Sequence, residues 1–341
     1  MTTAAEILQR SQAGDGDAAV MLSRLLDREG RYGEAVQWLE RAASGGHLLA
    51  QTVLGARFIS ARGAPHDPVR GAALLAEAAD KGQRDAAAYS AVLAATGIGR
   101  DQDWDEAFWR TKQASKLGHQ RSKAALAAIG EPDLKAWFAP AERDVRSASP
   151  EIWVVPKFLP RRVCDWIIAQ SKDFLRPAQV YNADRAGAVD ESRTNSGTGF
   201  SLLDLDVVFV LARAKMAQAI GRPVETFETT NVLHYSVGQK FSPHFDFVDP
   251  VTPELAADVA AKGQRVGTFL VYLNDGYGGG ETDFPLLKLQ VKGRKGDGLF
   301  FRSADETGAP DRRTYHAGLP PTSGEKWILS QWMRNRPQTM F

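Results

Sequence analysis

The sequence predicts two folds in series: an N-terminal α-solenoid, then an antiparallel double-stranded β-helix, or jelly roll, with supporting helices. Three observations carry that expectation. The first third is rich in Ala and repeats with a step of 36 residues, seen at Ala42-Ala43, Ala78-Ala79 and Ala114-Ser115. The remainder changes to short segments rich in Val, Phe, Tyr and Thr, separated by turn residues. A length of 341 residues suits about two domains.

In the repeats, small residues hold one register: Ala35, Gly71 and Ala107; Ala50, Ala86 and Ser122. Small side chains at fixed points let paired helices approach, while Trp38, Leu54, Leu74 and Trp109 are expected to fill the stacking faces. Gly46, Gly82 and Gly118 read as helix stops. A helix–turn–helix unit of this length cannot bury its own apolar face, so neighbours must stack. The phase resembles Sel1-like repeats, relatives of the tetratricopeptide repeat. Residues 1–137 are therefore read as the repeat domain, 138–152 as a linker and 153–341 as the second domain.

Composition narrows the function. A hydrophobic share of 43% and a charged share of 24% exclude general disorder. Net charge is +1, and residues 1–137 hold 17 basic against 17 acidic side chains, so a nucleic-acid partner is not expected. The apolar run Val207–Ala212 is too short to cross a bilayer, and the N-terminus lacks the pattern of a secretory signal. The lone Cys164 fits a reducing cytoplasm, the expected location.

Beyond the linker, Arg161–Ser171 and Asp204–Ile220 read as helices, the latter with Asp204 as its N-cap. Strands are expected over Thr229–Tyr235, Lys240–Phe247, Arg265–Asn274, Gly298–Phe301 and Lys326–Met333. A short helix between Thr252 and Gly263 interrupts them, and its insert, Asp249–Gln264, reads as a lid.

The chemistry starts at Ser242-Pro243-His244-Phe245-Asp246-Phe247. With a side-chain period of two, His244 and Asp246 face one way and the phenylalanines the other. An imidazole and a carboxylate side by side are two-thirds of a facial metal site. His316, in a later strand-like segment, is the best candidate for the third ligand. Two His and one carboxylate leave open positions, as in non-haem Fe(II) oxygenases. Lys326 lies ten residues after His316, across a turn that returns the chain. A cation there could pair with the distal carboxylate of 2-oxoglutarate. The dication, one carboxylate, the 2-oxoglutarate dianion and one ammonium sum to zero, which avoids an unpaired buried charge. Tyr235 and Thr282 offer hydroxyls to the same carboxylate.

These motifs resemble the Fe(II)- and 2-oxoglutarate-dependent dioxygenases, and within them the prolyl 4-hydroxylases. The resemblance runs from Glu151 to Pro337 through HYSVGQKFSPHFDF, RVGTFLVYLND, GGGETDFP, GDGLFF and HAGLPPTSGEKWILSQW, with RTNSGTGF at Arg193–Phe200. It implies iron on His244, Asp246 and His316, which would form the catalytic centre. It implies 2-oxoglutarate on Lys326, assisted by Tyr235, with Thr282 and Trp332 as further contacts and ascorbate as a candidate reductant. It further implies hydroxylation of peptidyl proline in a protein or peptide docked by the repeats. Two departures bear on substrate: Phe241 stands where the family commonly has a tyrosine, and Met333-Arg334-Asn335 follow Trp332 where it often has a His-Glu pair. The alternatives are the same chemistry on another residue or a small molecule, and a non-catalytic interaction scaffold; an iron-dependent succinate assay separates the last from the others.

Other residues read as structural. His234 alternates away from Tyr235, Cys164 reads as an apolar filler, and Gly278-Gly279-Gly280 lacks the ending of a phosphate loop. His47, His66 and His119 show no ligand spacing.

Overall fold

The computed structural model describes residues 2–178, 180–182, 185–188 and 192–338. The outermost ends of the expected domains, Met1 and 339–341, lie outside them. The chain forms two compact units. One spans Met1–Glu131 and takes in Leu202–Leu211; the other spans Pro132–Ser201 and Ala212–Met340.

The first unit is a stack of helix pairs: α1 (Ala4–Gln12) with α2 (Gly16–Arg28), α3 (Tyr32–Ser44) with α4 (Leu48–Ser60), α5 (Pro68–Asp80) with α6 (Arg84–Thr96), and α7 (Trp104–Lys116) with α8 (Gln120–Ile129). The last three pairs keep the 36-residue step; α1 and α2 add a shorter pair that the step does not mark. Local chemistry sets the boundaries. Asp67 and Asp103 cap α5 and α7, each carboxylate accepting a backbone N–H of the first turn. The equivalent caps of α4, α6 and α8 are His47, Gln83 and His119. Two histidines without ligand spacing thus have a local structural use. Gly46, Gly82 and Gly118 turn the chain with φ of 82°, 91° and 89°.

Register explains the small residues. Ala19 with Ala35, Gly55 with Gly71, and Ala91 with Ala107 recur on consecutive pairs, and all are buried. At the second of these seams a Cβ on Gly71 would lie 2.7 Å from the Gly55 carbonyl oxygen, and one on Gly55 would lie 2.9 Å from that of Gly71. Ion pairs between neighbouring pairs, Arg57–Asp27 and Arg110–Asp80 at 2.6 Å each, reinforce the stack. Trp109 departs from expectation. It is 52% exposed rather than packed in a stacking face, with the Arg110 guanidinium over its ring.

Leu202–Leu211 joins this unit because Arg121 on α8 donates to the Asp206 carboxylate at 2.9 Å and to the Asp204 carbonyl at 2.6 Å. The helix α11 (Val207–Ile220) starts there. Its N-cap is Asp206, which accepts the N–H groups of Val208 and Phe209, rather than Asp204.

The second unit is built on an eight-stranded sheet and a four-stranded sheet. In chain order its elements are α9 (Leu134–Trp137), β1 (Asp144–Ala148), β2 (Glu151–Val155), α10 (Arg161–Ser171), β3 (Arg176–Pro177), β4 (Val180–Asn182), β5 (Arg185–Ala188), β6 (Ser196–Phe200), β7 (Thr230–Tyr235) and β8 (Phe241–His244). After α12 (Pro253–Lys262) follow β9 (Arg265–Tyr272), β10 (Gly278–Gly279), β11 (Thr282–Phe284), β12 (Leu289–Val291), β13 (Gly298–Arg302), β14 (His316–Gly318), β15 (Pro321–Ser323) and β16 (Lys326–Arg334). The larger sheet runs β1-β2-β13-β9-β16-β7-β6-β3 and the smaller β12-β11-β14-β8. The stretch 138–152, expected as a linker, contains β1 and the start of β2, and β2 pairs with β13 inside the large sheet.

Alternation builds the interior. Leu233 and Tyr235 of β7, Tyr272 of β9, Leu299 and Phe301 of β13 and Ile328 of β16 meet Phe284 and Val291 of the smaller sheet. The opposite face of the large sheet is also apolar: Trp153 stacks on Phe300 at 4.8 Å between centroids, and Phe158 packs on Phe269 at 4.7 Å. Both faces of β9 are therefore covered, which is why its sequence reads as a continuous apolar run. Among the described residues no helix is long and apolar enough to cross a membrane.

The seam at Gly55 and Gly71 is testable. Replacing Gly71 with Ala gains about 1 kcal/mol of helix propensity, but overpacking against backbone costs about 1–3 kcal/mol. The expected outcome for Gly71→Ala is a lower thermal midpoint, read by circular dichroism. A raised midpoint would show that the seam has room.

Candidate functional site

Strands β8 and β14 pair so that His316 lies directly opposite His244. Asp246 follows two residues after β8 ends. The His244 Nε2 atom is 3.5 Å from one Asp246 oxygen and His316 Nε2 is 3.6 Å from the other. One ligand atom from each residue falls within 4.8 Å of the others. The three residues that the sequence singles out as a facial set are thus brought together.

Their protonation suits a divalent cation. The Nδ1 atoms of His244 and His316 lie 2.8 Å and 2.9 Å from the Ser242 and Thr314 carbonyls. An N–H donated there fixes each tautomer and turns the Nε2 lone pair toward Asp246. Burial, aided by His244, pushes the His316 pKa down to about 4, so it is neutral near pH 7. Burial alone would raise Asp246, but the neighbouring imidazoles and the Thr268 hydroxyl, donating at 2.6 Å, hold its carboxyl below the usual range. Two imidazoles whose Nε2 atoms face one carboxylate are a donor set that fits Fe(II). Aromatic rings fix the imidazoles: Phe241 stacks on His244 at 3.5 Å between centroids, and Phe301 packs on His316 at 4.6 Å.

Lys326 opens β16 opposite Tyr235 of β7. It is 2% exposed, and its ammonium lies 5.2 Å from the Tyr235 ring centroid and 6.0 Å from that of Tyr272. No ion pair to it is found among the described residues. Burial pushes its pKa down to about 7, Lys292 adds to that, and Glu281 opposes. A cation placed this way is matched by an anion entering from the barrel interior. Tyr235 is also buried, which pushes its phenol up to about 12 and keeps it a donor. The Thr282 hydroxyl is 3.0 Å from the Tyr272 hydroxyl, so it already has a partner.

Trp332 is not beside Lys326. Six residues along one strand separate them by about 20 Å, and Trp332 pairs in register with Thr268 and lies under the Arg265 guanidinium at 4.0 Å. Arg265 forms a double contact with Glu228 at 2.7 and 2.8 Å. Arg334 completes this buried group. It reaches Glu228 at 2.6 Å, Asp258 of α12 at 2.7 Å and the Gly263 carbonyl at 2.7 Å. The departure from the family pattern after Trp332 therefore ties α12 to the barrel. The Gln264 side chain also clasps Val248 through its N–H and its carbonyl, closing the base of the insert.

Sequence reasoning missed Thr268 and Arg193. Thr268 sits in RVGTFLVYL, where a lone hydroxyl in an apolar strand was the available signal. Arg193 lies over Phe241 at 4.4 Å and donates to Asn195, so RTNSGTGF reaches the metal site through the ring that stacks on His244. His234 takes the structural place expected for it, facing Glu325 at 2.7 Å and packing on Trp327.

Residues 230–334 match the family described as the 2OG-Fe(II) oxygenase superfamily. The chain is 34% identical over 220 residues to probable prolyl 4-hydroxylase 9 of Arabidopsis thaliana, covering 57% of this chain and 72% of the relative. Among solved structures it is similar to a viral collagen prolyl hydroxylase from Paramecium Bursaria Chlorella virus-1 in its 2OG complex, with 31% identity, 53% and 94% of the two chains covered and a TM-score of 0.40. It is also similar to a Sel1 repeat protein from Oxalobacter formigenes, with 26% identity, 37% and 52% covered and a TM-score of 0.35. On its identity to curated relatives, and with two histidines and an aspartate gathered inside two facing sheets, the chain belongs to the prolyl 4-hydroxylase family of the 2OG-Fe(II) oxygenase superfamily.

Proposed function

We propose that this 2-oxoglutarate-dependent dioxygenase hydroxylates peptidyl proline in a protein partner. In this reading His244, Asp246 and His316 hold Fe(II), and Lys326 with Tyr235 holds the far carboxylate of 2-oxoglutarate. The observation that carries it is the pairing of a three-donor cluster with a buried ammonium in one barrel interior. When bound, iron and 2-oxoglutarate supply oxidation of an unactivated C–H bond, with release of succinate and carbon dioxide. The chain's own residues do the rest. The Ser242 and Thr314 carbonyls orient the imidazoles, Thr268 keeps Asp246 ionised and aligned, and the aromatic rings exclude water. Proline as substrate is favoured by the relatives, which are prolyl hydroxylases by name. A cytoplasmic location is favoured by a single cysteine, buried and unbridged.

The assay is succinate formation together with a gain of one oxygen on a proline-containing peptide, each requiring Fe(II) and 2-oxoglutarate. Replacing His316 with Ala should abolish both and weaken Fe(II) binding, because two remaining donors hold a divalent ion poorly. A His316→Ala protein with unchanged iron affinity and turnover would overturn the ligand set.

The depressed Lys326 pKa predicts a pH dependence. The free protein bears the penalty of a buried charge below about 7 and loses it as pH rises toward the ordinary 10.5. Binding the dianion requires the charged form, so above pH 7 it must take up a proton. Affinity for 2-oxoglutarate should therefore fall between pH 7 and 9, by up to about ten-fold per unit. Lys326→Arg should bind more weakly but with a flat profile, since a guanidinium stays charged. Calorimetry in buffers of different ionisation enthalpy checks the proton uptake; a flat profile in the wild type would show that the ammonium is already charged in the free protein across this range.

Docking of the partner by the repeats is the remaining part of the reading. Its support is the exposed Trp109, with the Arg110 guanidinium over its ring, in a unit with no candidate metal-ligand cluster among the described residues. Aromatic and Arg side chains dominate binding hot spots. Trp109→Ala should raise KM for the intact partner several-fold and leave KM for a short proline peptide unchanged. Equal effects on both substrates would remove the repeats from recognition.

A further inference from the structure

Tyr277 lies in the turn between β9 and β10, outside every role assigned above. It is 6% exposed, and its hydroxyl oxygen is buried with no hydrogen-bond partner among the described residues. Leaving a phenol hydroxyl so is unfavourable, and native structures rarely do it without a ligand or an ordered water to complete it. The neighbours point to which. A Cβ placed on Gly280 would meet the Tyr277 ring at 2.9 Å and the Lys326 stem at 3.4 Å, so both side chains close on one face of that glycine. Lys292 covers the ring from 5.0 Å and donates to the Tyr277 carbonyl at 3.0 Å, holding the residue in place. Tyr272 and Thr282 satisfy each other and leave this hydroxyl out. Burial pushes the Tyr277 phenol up, followed by the nearby Tyr272 and Glu281, so it keeps its proton and is a donor at physiological pH.

Among the described residues, a donor without a partner and a lysine without an ion pair thus meet at one glycine. A water molecule would satisfy the hydroxyl but leave the charge; a carboxylate satisfies both. We propose that Tyr277 is a second anchor of the co-substrate, donating its hydroxyl hydrogen to the same far carboxylate of 2-oxoglutarate that Lys326 holds. This rests on the assignment of Lys326 made above. It adds a contact supplied by the turn after β9 rather than by a barrel strand, and it makes Gly280 necessary as the gap into which both side chains fit.

The test uses the full chain loaded with Mn(II) without oxygen, titrated with 2-oxoglutarate by calorimetry, alongside thermal unfolding of the ligand-free proteins. Tyr277→Phe should weaken 2-oxoglutarate binding by about ten-fold, the loss of one hydrogen bond to a charged group. The same substitution should leave the ligand-free midpoint equal or raise it, because it deletes an unsatisfied buried hydroxyl. This opposition of signs is one that a purely structural tyrosine would not produce. Lys326→Met should lose most binding, and the double variant should lose less than the two single losses combined, because both groups act on one anion. Wild-type affinity in Tyr277→Phe with binding lost in Lys326→Met overturns the proposal and leaves the Lys326 assignment standing. Wild-type affinity in both overturns the two together. A lowered ligand-free midpoint in Tyr277→Phe assigns the hydroxyl to the fold, or to a bound water alone, and also overturns it.

Discussion

A lysine ammonium sealed among tyrosine rings, with no ion pair to it among the described residues, is the constraint around which the second unit is arranged. An isolated charge in a low-dielectric interior is tolerated only where the surrounding structure over-determines its position. Lys326 meets that condition because β16 lies between β7 and β9 in the middle of the large sheet, paired on both edges. Lys326 is the first residue of that strand: it pairs with Tyr235, the ladder to β9 begins at Ile328, and the rings of Tyr235 and Tyr272 lie beside its ammonium. The same two-sided pairing sets Thr268 across from Trp332 and so aligns the hydroxyl that holds Asp246. Charge placement and ligand orientation are consequences of a single strand being central.

The metal cluster follows a different logic. The small sheet is only four short strands, yet β8 and β14 place His244 and His316 opposite each other through backbone register, and two carbonyls orient the rings. Precision here comes from the main chain, which tolerates little variation, while the aromatic surroundings exclude solvent. The repeats show the reverse economy. Their register depends on side-chain size at one seam, Ala against Ala or Gly against Gly, and either His or Gln caps the second helix in each of the pairs α3–α4, α5–α6 and α7–α8.

Much of this was legible in the sequence because it was local or periodic. Alternation put His244 and Asp246 on one face, the ten-residue interval carried Lys326 back along the barrel, and the 36-residue step located six helices. What escaped was non-local. Asp206 rather than Asp204 caps α11, and Arg121, 85 residues before Asp206, engages both positions. The stretch 138–152 looks like a linker because Pro and polar residues dominate it, and strands form there only because β1 pairs with β2 and β2 with β13. Trp109 looked like filling by its phase, but a half-exposed helix face does not declare itself by spacing. Trp332 matched the family's order along the chain yet sits at the other end of its strand from Lys326.

The charged group at Glu228 has a consequence for how this protein can change over generations. Arg265 and Arg334 converge on one carboxylate, and Arg334 also reaches Asp258 on α12, so two cations are balanced by two anions in a partly buried group. Loss of Glu228 alone would strand Arg265 and leave Arg334 to Asp258 and the Gly263 carbonyl; loss of Arg334 alone would release α12 and leave Asp258 to Lys262. Each position is therefore poorly replaceable by itself, although the set as a whole is replaceable. Positions 228, 258, 265 and 334 constitute one inherited character, spelled in four separate parts of the chain.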